Sequence, residues 1–326
     1  MKKVLIVRFS SIGDIVLTTP VVRCLKQTFP EVQIHFLTKK IYASIPASHP
    51  QVDRVHVIER SLNECMAELR AEKFDLILDL HNNLRSTMLA FRLGVRRITF
   101  DKLNVRKWIM VRFKIDLLPR KHIVHRYMEA VAKAGIVWDK KGPDFYIPDG
   151  CENIMERIPE SFRKKYIAVV VGAAHETKSI PSQLLTAIIR QTPYPVILIG
   201  GAKDLEKANG IASAAGEKSF NACGMFDIMG SAMIIRNAYK VIAPDTGMMH
   251  IAAALQKPVV SLWGSTIPEF GMYPWIDAAD ENRSDMFEVK DLACRPCTKI
   301  GFDSCPKLHF HCMHQLRPEP VAEALQ

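Results

Sequence analysis

Apolar residues along the chain fall into short runs separated by stretches of helical periodicity. In the first half the runs are 4–7, 33–37, 55–58, 76–79 and 97–100, with helical patterns near 15–28, 61–72 and 83–93. Short apolar runs bounded by turn residues read as strands buried on both faces. Their alternation with helices predicts a parallel sheet covered on both sides. The pattern fades in "WDKKGPDFYIPDG" (138–150), whose Pro, Gly and Asp content marks a domain boundary. A second series follows at 166–171, 196–199, 218–221, 240–243 and 259–262, with helical stretches at 182–190, 205–215 and 248–254. The predicted fold class is therefore α/β, with two doubly wound domains over residues 1–155 and 156–326. Open α/β sheets bind ligands beyond the carboxyl ends of their strands, so facing domains would share one cleft.

Composition narrows the class. The 326 residues are 48% hydrophobic and 24% charged, the profile of a globular chain. No apolar run approaches the roughly 20 residues that span a bilayer. Two lysines at the N-terminus lead straight into a strand, without the apolar region of a secretion signal, so a cytoplasmic location is expected. Four of the eight cysteines (Cys24, Cys65, Cys151, Cys223) are scattered and four cluster near the C-terminus, which is not the framework of a small secreted domain.

The net charge of +10 is uneven: residues 1–160 hold 27 Lys/Arg against 18 Asp/Glu, and the remainder 17 against 16. Between Arg85 and Arg126 stand 12 Lys/Arg against only Asp101 and Asp116. This block calls for an anionic partner or is a solvated basic face. Nucleic acid is disfavoured because the block carries no zinc finger, helix-turn-helix or RNP-type aromatic motif.

Candidate chemistry sits at strand ends. The opening "VLIVRFSSIGDIVLTTP" places a turn of Ser10, Ser11 and Gly13 after a strand, as a dinucleotide-binding loop would, yet it sets the carboxylate of Asp14 beside a single glycine. Asp14 reads either as a helix cap or as a chemical group. In "VIAPDTGMMHIAAAL", Asp245 or Thr246 can cap the following helix. Gly247 permits close approach to its N-terminus, and His250 lies one turn along. The free N–H groups and positive dipole end there suit a phosphate, provided Asp245 is consumed in capping. "VVVGAAHETKSIP" places Lys178 after a strand-end glycine, a natural phosphate counter-charge, although the P-loop spacing is absent. "LIGGAKD" offers Asp204, or Glu206 just behind it, to ribose hydroxyls, and "NACG" (221–224) is a further strand-end turn. Several such loops in one domain together favour a nucleotide site. Neither half has G-x-G-x-x-G after its first strand, which disfavours an NAD-dependent oxidoreductase.

"RFSSIGDIVLTTP", "GAAHETKSIP" and "APDTGMMHIAAAL…PVVSLWGST", in this order, resemble glycosyltransferase family 9, the heptosyltransferases of lipopolysaccharide core biosynthesis. The resemblance implies a GT-B fold of two facing Rossmann-like domains. It also implies an inverting transfer that requires no metal or other cofactor, from a nucleotide sugar, typically ADP-heptose, to a phosphorylated lipid A–core acceptor. By the same resemblance the donor contacts fall on Lys178, Asp245, Thr246, Gly247 and His250, with the loop at 221–225, including Met225, by the adenosine. The catalytic base falls on Asp14, and the acceptor side on Ser10, Ser11, Asn83 and Arg85. Two departures, Ile180 where the family carries an aromatic ring and Val171-Gly172 in place of Pro-Gly, bear on the donor sugar more than on the reaction. The basic block then reads as the surface meeting phosphorylated head groups and an anionic inner leaflet, with the protein peripheral on the cytoplasmic face. Oligomeric state is not legible.

Inversion needs one in-line displacement, with a carboxylate taking the proton of the attacking hydroxyl and cationic groups steadying the departing diphosphate. A different nucleotide sugar, a GT-B epimerase and a non-catalytic nucleotide-sugar binder stay open, the binder having no need of Asp14. Lastly, "CRPCTKIGFDSCPKLHFHCMH" spaces Cys294, Cys297, Cys305 and Cys312 compatibly with a structural zinc, or with reduced thiols or a reversible disulfide.

Overall fold

The computed structural model describes residues 1–275 and 284–326. The chain divides into two compact units: Met1–Lys102 with Lys121–Tyr146, and Leu103–Arg120 with Ile147–Gln326. The second unit thus takes in a segment from inside the range expected for the first domain. The reason is apolar burial, since Leu103 and Leu118 pack with Ile267 and Phe270.

The first unit is built on five parallel strands: β1 (Lys3–Val7), β2 (Gln33–Lys39), β3 (Arg54–Ile58), β4 (Leu76–Asp79) and β5 (Arg97–Thr99), in the order β3-β2-β1-β4-β5. The helices of this stretch of chain are α1 (Ile12–Val16), α2 (Thr19–Thr28), α3 (Ser44–Ala47), α4 (Met66–Ala71), α5 (Leu84–Leu93), α6 (Asn104–Phe113) and α7 (Ile123–Val131), of which α6 belongs to the second unit. Central β1 is buried from Val4 to Val7, which explains its uninterrupted apolar run. Each such side chain removed from water contributes about 1.5–3 kcal/mol.

Two helices expected as continuous are broken. Thr18 and Thr19 turn their hydroxyls back to the Ile15 and Val16 carbonyls at 2.7 and 2.8 Å, and Pro20 opens α2, where a missing N–H costs nothing. The expected helix over 61–72 starts instead as a tight turn at Leu62–Glu64 before α4, because the Glu64 carboxylate reaches back to the Ser61 N–H at 2.7 Å.

The second unit carries six parallel strands: β6 (Ile167–Val170), β7 (Val196–Ile199), β8 (Ser219–Asn221), β9 (Lys240–Pro244), β10 (Val259–Trp263) and β11 (Ser284–Glu288), in the order β11-β10-β9-β6-β7-β8. Its other helices are α8 (Ser182–Gln191), α9 (Leu205–Ala215), α10 (Ile228–Asn237), α11 (Gly247–Ala254), α12 (His311–His314) and α13 (Pro318–Glu323). Val321 and Leu325 close one core with Leu185, Ile188 and Leu198. Both sheets are α/β and Rossmann-like, as the sequence pattern predicts. Among the described residues no helix is long and apolar enough to cross a membrane.

Candidate active site

In the first unit the turn after β1 gathers charge. Asp14, in the first turn of α1, accepts hydrogen bonds from the Ser11 backbone N–H at 3.1 Å and the Ser11 hydroxyl at 2.9 Å. Its other oxygen pairs with the Arg8 guanidinium at 2.5 Å, and the Asp14 side chain as a whole is 22% exposed. Arg8 is itself buried and held from several sides: it donates to the Ser10 carbonyl at 2.8 Å, the Leu80 carbonyl at 2.5 Å and the Tyr127 hydroxyl at 3.2 Å. Burial works to raise the pKa of Asp14, but the Arg8 charge and the Ser11 hydrogen bonds prevail and hold it at about 2. Asp14 is therefore an anion at any physiological pH. Burial pushes the Tyr127 hydroxyl up to about 12, so it stays protonated.

The residues expected on the acceptor side lie around this turn with mixed roles. Ser10 and Ser11 hold Arg8 and Asp14 in place, as above. Asn83 caps α5, its side-chain oxygen accepting the Ser86 N–H at 2.9 Å. Arg85 is exposed and lies 6.0 Å from the Phe9 ring centroid, while the His81 ring meets Phe9 edge-on at 4.9 Å. Burial, reinforced by the Arg8 charge, lowers the His81 pKa to about 4, which leaves a neutral ring. Arg8 and His81 are not anticipated from sequence. The available signal for Arg8 was a charge at the end of a buried strand, which demands a partner such as Asp14.

In the second unit, loops converge at the carboxyl ends of the strands. Lys178, after β6, pairs with Asp245, after β9, at 2.8 Å, and both are mostly buried. Asp245 also accepts the Thr266 hydroxyl at 2.8 Å. The carboxylate is thus spent on a lysine and a threonine, not on capping backbone N–H groups as its position suggests. Thr246 stands at the N-cap of α11 in extended backbone, with its hydroxyl oxygen buried and without a hydrogen-bond partner. Gly247 begins α11, and His250 is buried one turn further on.

The lysine loop is fixed by two neighbours. Thr177 exchanges hydrogen bonds with Phe302, its N–H reaching the Phe302 carbonyl at 3.0 Å and its hydroxyl accepting the Phe302 N–H at 2.8 Å. Ser265 donates its N–H to the Thr177 carbonyl at 3.2 Å and its hydroxyl to the Thr177 hydroxyl at 3.0 Å. Gly264 admits this approach, since a Cβ there would stand 2.7 Å from the Thr177 carbonyl. Arg295 ties the cysteine-rich tail to the same loop through the Gly264 carbonyl at 2.7 Å and the Thr266 carbonyl at 2.9 Å.

Asp204 folds over the ends of β6 and β7. Its carboxylate accepts the Gly201 N–H at 2.8 Å, and a Cβ at Gly172 would collide with it. Met225 follows Gly224, whose φ of +74° suits glycine, and the Met225 carbonyl accepts from Arg157 at 3.3 Å.

The four clustered cysteines are free thiols. Burial raises the pKa of Cys297 and pushes that of Cys312 up to about 12, which favours thiol over thiolate. Cys294 Sγ lies 3.9 Å from His309 Nε2. Among the described residues, the set whose ligand atoms gather within 4.8 Å is His35, His56 and Glu72, not the cysteines. In that set His35 Nδ1 meets His56 Nε2 at 2.9 Å, and the Glu72 oxygens already bind Lys3 at 2.5 Å and Arg54 at 2.6 Å. Both Glu72 oxygens are thus engaged by cations of the first unit, and His56 Nδ1 faces the Glu68 carboxylate at 2.9 Å.

The first Rossmann-like α/β unit thus carries an ionised carboxylate at the turn after β1, and the second carries a lysine paired with an aspartate just ahead of the N-terminus of α11. The chain belongs to glycosyltransferase family 9: the profile described as "Glycosyltransferase family 9 (heptosyltransferase)" matches residues 63–299. It is a glycosyltransferase. It is 26% identical to lipopolysaccharide heptosyltransferase 1 of Pseudomonas aeruginosa, across 91% of this chain and 86% of that one. Its fold is that of E. coli ADP-heptose lps heptosyltransferase II, with a TM-score of 0.77 at 20% identity, covering 100% of this chain and 97% of the other. E. coli heptosyltransferase WaaC, solved with ADP, superposes with a TM-score of 0.69 at 20% identity, covering 98% of each chain.

Proposed function

We propose that the protein transfers heptose from ADP-heptose to a lipid A–core acceptor of lipopolysaccharide, with inversion and without a required metal. The observation that carries the donor half is the Lys178–Asp245 pair beside the N-terminus of α11, with the unpartnered Thr246 hydroxyl. A diphosphate settling there would meet a lysine ammonium, backbone N–H groups and a hydroxyl donor, which together supply the positive potential that a departing nucleotide needs. The names of the relatives, and the ADP in one related structure, support adenine as the base and heptose as the sugar. Asp204 and Met225 stand at neighbouring strand ends of the same sheet, where ribose and adenine would lie.

Asp14 is the general base of the proposal. Its pKa of about 2 keeps it charged but makes it a weak base at equilibrium, so it accepts the proton only as the glycosidic bond forms and the hydroxyl becomes acidic. Arg8 holds the carboxylate in one orientation, and Arg85 offers positive charge to an anionic acceptor. The site is proposed to work at the cytoplasmic face of a membrane, where such an acceptor is anchored.

A donor screen tests this directly. Purified protein is incubated with a lipid A–core acceptor and, in turn, ADP-heptose, ADP-glucose and UDP-sugars, with and without a chelator. Transfer from ADP-heptose alone, unchanged by chelation, supports the reading. Transfer from a UDP-sugar would replace the donor, and loss of activity on chelation would refute metal independence.

A further inference from the structure

The segment Leu103–Arg120 has an inner and an outer face. Inward, Leu103 and Leu118 are buried with Ile267 and Phe270, Met110 and Val111 pack against them, and the Lys107 ammonium lies 5.5 Å over the Phe270 ring. Outward, α6 is open among the described residues: none of its ten residues is fully buried. Val105, Trp108 and Arg112 follow one another at helical spacing on that outer side. Val105 is 70% exposed, Trp108 56% and Phe113 57%, and the Trp108 and Phe113 rings meet edge-on at 5.5 Å. Beyond the helix, Ile115 and Leu117 are also more than half or half exposed, at 54% and 50%.

The charges of this segment have one sign. From Lys102 to Ile115 there is no acidic residue, while Lys102, Arg106, Lys107, Arg112 and Lys114 are all cationic. The next acid, Asp116, is already paired with Arg120 at 2.7 Å. Exposed apolar residues are ordinary when scattered singly, but a Trp, a Phe and three aliphatic side chains within one short cationic segment are not.

We infer that α6 and the residues after it form a docking surface for an anionic phospholipid leaflet. Trp108, Phe113, Val105 and Ile115 enter the boundary between head groups and acyl chains, while Arg106 and Arg112 bind lipid phosphates. An interfacial helix combines these two properties, an apolar outer side with flanking cations. Each cation near such a surface adds about 1 kcal/mol, so several of them and the apolar side chains act together. A second copy of the chain fits worse, because a two-fold contact would set like cationic segments against each other. Nucleic acid would satisfy the cations but leave Val105, Ile115 and Leu117 exposed. The surface deepens the proposed reading, in which the acceptor is held in a membrane.

The test is co-sedimentation of the full chain with vesicles of phosphatidylcholine alone or mixed with phosphatidylglycerol, without donor or acceptor. The wild type is expected to pellet with the mixed vesicles at low salt and to be released as salt rises. Arg106→Glu/Arg112→Glu and Trp108→Ser/Phe113→Ser should each weaken this binding about tenfold or more, by the charge contribution above and by lost apolar burial. Both variants should keep wild-type ADP affinity, which shows that they are folded. Wild type left in the supernatant with both vesicle types overturns the proposal, as do variants that pellet like wild type. Capture by duplex DNA instead of vesicles, or a wild-type dimer that both variants dissolve, overturns it in favour of those occupants. Transfer to a detergent-solubilised acceptor is read separately, so failure of vesicle binding and failure of the proposed reaction are distinguishable.

Discussion

The two units use the same local device for opposite ends. Each follows a buried parallel strand with a turn, an aspartate and a helix, and each pairs that aspartate with a cation. In the first unit the cation is Arg8, whose guanidinium is also bound to two carbonyls and the Tyr127 hydroxyl, so it is fixed, and the proposed reading gives the chemistry to the partly exposed Asp14. In the second unit the cation is Lys178, a compact charge on a flexible stem, and the aspartate is additionally held by Thr266. In the proposed reading the anion there serves as the holder and the lysine as the group that meets the diphosphate. The motif alone does not tell which partner is functional. The proposed assignment rests on the further bonds of each partner.

The largest expected consequence lies with Asp14. Asp14→Asn should lower the transfer rate by about 10²–10⁴-fold, the usual worth of a general base, with ADP affinity unchanged. A rapid-quench assay with radiolabelled donor and calorimetry with ADP check both halves. Lys178→Ala should do the reverse in kind, weakening ADP about 10–100-fold, as expected for a charge-assisted contact of about 1.5–3 kcal/mol. If ADP binds Lys178→Ala as tightly as wild type, the lysine is not the diphosphate ligand.

Acid should separate the units further. Burial lowers the pKa values of His35, His49 and His81 to about 4, and all three belong to the first unit. Their folded pKa values lie below the unfolded value of about 6.5, so the unfolded chain binds more protons between those limits. Stability is therefore intact above about pH 6.5 and falls as pH drops towards 4, by up to about 1.4 kcal/mol per pH unit for each histidine. Hydrogen exchange at pH 7 and pH 5 should show protection lost from β1–β4 before β6–β10. Equal loss in both sheets would contradict this.

The smallest effect concerns how Lys178 is held. Thr177→Val removes the hydroxyl shared with Phe302 and Ser265 and should cost about 1–3 kcal/mol. For a unit of this size that is a fall in Tm of about 2–4 °C per kcal/mol. ADP affinity should fall with it by a few-fold, and a variant unchanged in both would show that the loop is held elsewhere.

How much of this could be read from the chain follows from the physics of each part. The strands were legible because β1, β4, β6 and β7 are buried on both faces and so appear as unbroken apolar runs. Edge strand β11, with the mixed sequence SDMFE, gives no such signal. Helix α6 was seen only as a basic block, because it has no buried residues to impose a core-facing period. The strand-end loops were legible as turns carrying Asp14, Lys178 and Asp245, but their partners were not. That Asp245 binds Lys178, 67 positions away, or that Phe302 of the tail locks Thr177, depends on tertiary contacts that spacing along the chain does not encode.

The most direct test is to measure, on matched preparations of wild type, Asp14→Asn and Lys178→Ala, both the single-turnover rate at saturating donor and the ADP dissociation constant. A crossed result is predicted: Asp14→Asn slow with wild-type ADP affinity, and Lys178→Ala much weaker for ADP. An Asp14→Asn protein that turns over at the wild-type rate, or that loses ADP as Lys178→Ala does, would contradict the division of labour between the two turns.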